Sequence, residues 1–151
     1  MSAAASRRVV TGLNAAGKSC VIIDGAVPAM SDTGGLIWRS AAIPADNSGH
    51  ADASGQTFSM ELLHGGGSSF MVVDFAPGMP SFQHATDTLD YIVVLQGEVT
   101  LELEEGEVVC GPGSFIVDRG VKHSWRNDGN EVATIASIVV PAQPVGAGRT
   151  V

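Results

Sequence analysis

The chain has 151 residues, 44% hydrophobic and 16% charged, which fits one globular domain able to bury a core without disulfides or a structural metal. A formal net charge of −8, with no Lys or Arg between Arg39 and Arg119, excludes nucleic acid and anionic membranes as partners. No apolar run approaches the roughly 20 residues of a membrane span, and Met1 to Arg8 lacks the apolar centre of a secretory signal, so the sequence reads as cytoplasmic.

In chain order, residues 1–6 read as a loose terminus. Arg8–Thr11, Ser19–Ile23 and Leu36–Arg39 are short β-branched runs with strand character. Pro44 to Gln56 is a loop rich in Gly, Asp and Ser. Phe70–Phe75 forms a strand ending at Pro77-Gly78. In Glu98–Glu104, Val99, Leu101 and Leu103 alternate with Glu98, Thr100, Glu102 and Glu104, the period-two pattern of a half-buried strand with a solvated acidic face. Glu105-Gly106 turns the chain into Glu107–Cys110, and Gly111-Pro-Gly113 turns it again into Ser114–Val117. Asp128-Gly-Asn130 precedes the long strand Val132–Val140, and Pro141–Val151 is a Pro/Gly-rich, flexible tail. No amphipathic helix exceeds two turns. The rhythm is that of an all-β sandwich or barrel. Cys20 and Cys110 stand far apart in apolar runs and read as buried, reduced thiols.

Two of the four histidines lie in patterned surroundings. In Gly78–Gly97, Gly78, His84, Thr86, Asp90 and Gly97 follow a Gly-x5-His-x-Thr-x3-Asp-x6-Gly spacing. In Gly113–Asn127, Gly120, His123 and Asn127 follow Gly-x2-His-x3-Asn. His50, in a polar loop, and His64, beside three glycines, read as surface residues. His64-Gly-Gly-Gly67 has no nucleophile elbow to accompany it, and is a turn.

These two stretches resemble the paired motifs of the cupin superfamily, most closely its short single-domain members. The resemblance implies a double-stranded β-helix, or jelly-roll barrel, over residues 58–140. It also implies N-terminal extension strands within 1–57 packing on the barrel, and leaves 141–151 as a tail. It further implies a site built from both motifs. A straight strand would hold His84 and Asp90 about 20 Å apart at ~3.3 Å per residue, so shared chemistry needs a reversal, for which Asp87-Thr88-Leu89 is the candidate turn. His123, Trp125 and Asn127 share one face by alternation. Trp125 then walls the pocket, Asn127 anchors the following turn, and Thr86, Tyr91, Phe82 and Phe115 are further pocket candidates.

The family pattern uses three histidines and a glutamate. Here Thr86 replaces one histidine and Asp90 replaces the glutamate. The remaining set, His84, His123 and Asp90, suits a divalent metal (Fe, Zn, Mn or Ni), and it suits a metal-free acid–base pair equally well. The expected function is proton-transfer chemistry on a small organic substrate, as in a lyase, decarboxylase, dehydratase or isomerase. An Fe(II)-dependent dioxygenase and a non-catalytic small-molecule binding module are the alternatives. The apolar composition and the strand-rich N-terminal extension point to a homodimer.

Overall fold

A computed structural model describes residues 2–151. Its elements are β1 (Arg7–Leu13), β2 (Ser19–Ala26), β3 (Ala29–Ser31), β4 (Gly34–Ser40), helix α1 (Met60–His64), β5 (Ser68–Phe75), β6 (Thr88–Gln96), β7 (Val99–Leu103), β8 (Glu107–Cys110), β9 (Phe115–Asp118), β10 (His123–Arg126) and β11 (Ala133–Pro141). Six strands in the order β3-β4-β5-β11-β6-β9 make one sheet, and β10-β7-β8 make the facing one. This is the expected double-stranded β-helix.

The alternation read in the sequence sets the inner layer. Phe75, Ile92, Val94, Val99, Cys110, Ala133 and Ile135 form one buried cluster, with Trp125, Met79 and Ile116 packed against it. Met30, Leu36, Leu63, Met71 and Val139 form a second, closed by α1. Ser59 caps α1 by accepting from the Leu62 amide at 3.2 Å, and Gly66 and Gly67, both at positive φ, turn the chain into β5. The hairpin at Glu105-Gly106 closes as expected, with the Leu103 amide on the Gly106 carbonyl at 2.9 Å.

Three regions differ from the sequence reading. The N-terminal segment does more than pack on the barrel: β4 is hydrogen-bonded along β5 and belongs to the six-stranded sheet, while β1 and β2 pair only with each other. The Pro44–Gln56 loop is pinned by Arg8, whose buried guanidinium forms an ion pair with Asp52 and donates to Ser54 Oγ at 2.7 Å. The tail is not free either. The Ala142 amide donates to Asp87 O and the Thr150 amide to Ala85 O, each at 2.9 Å. In return, the Ala85 amide donates to Thr150 Oγ1 at 2.9 Å, and the Arg149 amide donates to Asp87 Oδ1 at 2.8 Å. Proline and glycine content masked this docking, because the partners are three backbone groups and one carboxylate oxygen some 55 to 65 positions back in the chain. Both cysteines are free, Cys110 buried and Cys20 only half-buried.

Candidate functional site

His84 and His123 meet where the two motifs cross. Their backbones exchange hydrogen bonds at 2.9 Å in each direction, extending the β10 edge, and their ring centroids lie 4.5 Å apart. Gly120 makes this approach feasible. At φ +75° it passes so close to the Thr86 carbonyl that an added Cβ would sit 2.3 Å from that oxygen.

Each imidazole is fixed in one tautomer by the chain that carries it. His84 Nδ1 lies 3.0 Å from the Phe82 carbonyl, and His123 Nδ1 lies 2.9 Å from the Val121 carbonyl. A carbonyl only accepts, so both Nδ1 atoms carry hydrogen, and Nε2 is left for chemistry. Among the described residues neither Nε2 has a hydrogen-bond partner.

Their surroundings then separate them. His123 Nδ1 also lies 3.0 Å from Oδ2 of the buried Asp118, whose Oδ1 accepts the Gly120 amide at 3.0 Å. Burial opposes charge on His123. The Asp118 carboxylate, the Val121 carbonyl and the charge of Asp90 together outweigh it, and its pKa is raised. For His84, burial dominates over the Phe82 carbonyl, the nearby His123 adds to it, and the pKa is lowered. One imidazole is biased toward the cation and its neighbour toward the neutral base.

Asp90 joins this group indirectly. The strand begins at Thr88, so the reversal is the bend at Asp87 alone. On β6 Asp90 stands opposite Asp118 of β9. Its Oδ1 accepts from Thr88 Oγ1 at 2.7 Å, and Thr88 Oγ1 lies 2.6 Å from Thr86 Oγ1. Thr88 has one hydroxyl hydrogen and directs it at Asp90, so Thr86 is the donor to Thr88. Burial, despite the Thr88 bond and with help from the Asp118 charge, pushes the Asp90 carboxyl up to about 6.

The sequence expectation placed His84, Asp90 and His123 around a metal. The structure brings the two imidazoles together but does not complete the set. Among the described residues no three His, Cys, Asp or Glu side chains gather so as to hold a metal ion. The Thr86 hydroxyl donates to Thr88, Asp90 Oδ1 accepts from Thr88, and Asp118 Oδ1 accepts the Gly120 amide.

Trp125 walls the site as expected, edge-on to His123 at 5.8 Å and against Phe75 at 5.9 Å. Asn127 anchors its turn, donating to Phe75 O at 2.7 Å and Glu131 O at 2.9 Å while accepting the Gly129 amide at 2.9 Å. Phe82 stacks on His84 at 5.3 Å. Tyr91 and Phe115 do not belong to this site. Asp90 and Ile92 point inward, so Tyr91 between them must point out. Phe115 is 84% exposed on that outer face. His64 is no ordinary surface residue: it is half-buried, held to Met60 O at 2.9 Å, and accepts the Asp87 amide at 3.2 Å. Asp118 and Thr88 are the site residues that motif spacing missed. Glu102, read as part of a solvated face, is tied to Arg126 and accepts from Ser124 at 2.7 Å on the outside of the small sheet.

A family model described as a cupin domain matches residues 71–140, the span that contains both histidines and the paired sheets. That segment is a cupin domain. It is 38% identical over 82 residues to phomopsin biosynthesis cluster protein C′ of Diaporthe leptostromiformis, covering 53% of this chain and 43% of that protein. It is 31% identical over 131 residues to the cupin-domain-containing oxidoreductase virC of Hypocrea virens, covering 80% of this chain and 66% of that one. The chain thus spans about a third to two thirds of the length of the curated relatives it matches, and under half of most of them. Among solved structures it is similar to an RmlC-like cupin family protein with a double-stranded β-helix fold from Methanocaldococcus jannaschii. That likeness has TM-score 0.44 and 19% identity, covering 49% of this chain and 70% of that one. No helix among the described residues is long and apolar enough to cross a membrane.

Proposed function

We propose that this cupin barrel is an acid–base catalyst that relocates a proton within a small organic molecule, as an isomerase or dehydratase does. The observation that carries this reading is the pair of touching imidazoles with matched tautomers and oppositely biased charge. Environments that push two neighbouring pKa values apart are how one site supplies an acid and a base at the same pH. His84 Nε2 takes a proton from carbon beside a carbonyl. His123 Nε2–H gives one to the oxygen, and the enol is formed. Return of the two protons to new positions shifts a double bond, or releases a neighbouring hydroxyl as water. Asp118 holds the His123 ring and balances its charge. A relative named for a biosynthesis cluster supports a small organic substrate.

The test is deuterium uptake from heavy water, followed by proton NMR, across a panel of small hydroxy-carbonyl compounds. Exchange that the wild type catalyses and His84→Gln or His123→Gln abolishes, with the fold retained, is the expected result. Stoichiometric bound metal that disappears in His84→Gln would overturn the metal-free reading. The name of the Hypocrea virens relative gives a second reading, redox chemistry. Oxygen consumption coupled to turnover, without proton exchange, would favour it.

A further inference from the structure

We infer that this site selects an uncharged hydroxy-carbonyl compound over a carboxylate or phosphate of similar shape, and that Asp90 is the residue that sets the preference. The inference rests on the acid–base reading of His84 and His123, and adds the class of molecule on which they act.

Two carboxylates stand near the imidazoles, and one of them lacks a cation. Asp90 of β6 and Asp118 of β9 are opposite each other in the sheet. Asp118, its side chain 3% exposed, lies 3.0 Å from His123 Nδ1 and so answers the charge of that ring. Asp90 forms no ion pair among the described residues, and its hydrogen-bond donor is the neutral Thr88 hydroxyl at 2.7 Å. The surroundings do little to screen it. Trp125 stands edge-on to His123, Phe82 lies against His84, and Thr86 and Thr88 are buried. In such a low-dielectric setting a second anion is repelled far more strongly than in water.

No cation among the described residues is placed to offset that repulsion. Of the eight Lys and Arg residues, Arg7, Arg8, Lys122, Arg126 and Arg149 form ion pairs with Asp24, Asp52, Glu104, Glu102 and Glu61, none of them part of this site. Arg39 donates to the carbonyls of Ser40, Leu62 and Gly66. Lys18 belongs to the turn between β1 and β2, and Arg119 is exposed, one position past the inward-facing Asp118. Carboxylate and phosphate groups are held by Arg, Lys or a helix N-terminus. The α-helix among the described residues, α1, has five residues and carries Glu61 in its first turn. What the site offers is a donor at His123 Nε2 and an acceptor at His84 Nε2. A ketone, aldehyde or amide with a neighbouring hydroxyl uses both and brings no charge.

Ring-proton NMR titration of His84 and His123 at pH 7.5 tests this with two matched pairs, mandelamide against mandelate and dihydroxyacetone against dihydroxyacetone phosphate. His84→Gln and His123→Gln assign the signals. Each uncharged member should shift both rings and bind roughly tenfold or more tightly than its anion. Asp90→Asn keeps an oxygen for the Thr88 hydroxyl and removes the charge, so it should narrow that gap to about threefold or less. Equal or tighter binding of either anion overturns the inference, as does a gap that Asp90→Asn leaves unchanged. Rings that respond to none of the four compounds overturn it too. Deuterium uptake keeps the two readings apart. An uncharged compound that binds as expected but exchanges no carbon-bound proton supports the selectivity and overturns the catalysis. An anion that binds more tightly and does exchange overturns the selectivity and supports the catalysis.

Discussion

The Asp118 carboxylate decides what His123 is. Without it, burial is the largest influence on that imidazole and favours the neutral form. Asp118→Asn should lower the His123 pKa and move the alkaline limb of any activity profile to lower pH; ring-proton NMR titration reads the first and a pH–rate profile the second. Asp90 gives a prediction of the opposite sign. Its folded-state pKa of about 6 lies above the unfolded value, so the folded protein holds the proton more tightly than the unfolded chain. Stability from this residue is therefore present below the unfolded pKa, near 3.8, and is lost as pH rises through about 6. Asp90→Asn should raise stability at pH 7.5 by on the order of 2 kcal/mol and change little at pH 4. Thermal melts at the two pH values would measure it. His84, His123 and Trp125 were legible because each is set by spacing within one motif and by strand alternation. Asp118 was not, although Ile116 and Asp118 share a face by the same alternation. Its importance comes from lying 3.0 Å from His123 Nδ1, on a strand whose register opposite Asp90 joins positions nearly thirty residues apart. Tyr91 stands one position from Asp90 on β6, and alternation turns it to the opposite face.

At the level of elements, turns wrote themselves into the sequence and long-range docking did not. The Glu105-Gly106 hairpin and the Gly111-Pro-Gly113 turn need only local residue types. The return of the tail to Ala85 and Asp87 depends on backbone groups exposed by a bend that only the folded barrel creates. Those bonds hold the segment that carries His84. A chain shortened to end at Pro141 should lose about 2–6 kcal/mol of stability, as four hydrogen bonds revert to water, each worth about 0.5–1.5 kcal/mol net. Hydrogen exchange at Ala85 should quicken with it; unchanged protection there would show that the tail is not what restrains this segment. Asn127 binds its loop more tightly. With a fully buried amide making three hydrogen bonds, Asn127→Ala should cost about 2–3 kcal/mol in a denaturant titration.

For the whole molecule, charge works against compactness. A net charge of −8 repels itself more in the folded state than in the unfolded chain. Raising salt should therefore raise stability, since screening removes that repulsion. Thermal melts at low and high ionic strength would show it as a rising midpoint.

The place of β11 between β5 and β6 sets the order in which the barrel can be made. On the ribosome, β5 emerges some sixty residues before β11, and β6 about forty. One edge of β5 can pair with β4 and one edge of β6 with β9, but the edges that face β11 stay open until β11 has been synthesised. The nascent chain must carry these two apolar edges unpaired over that interval, and chaperones act on such exposed edges.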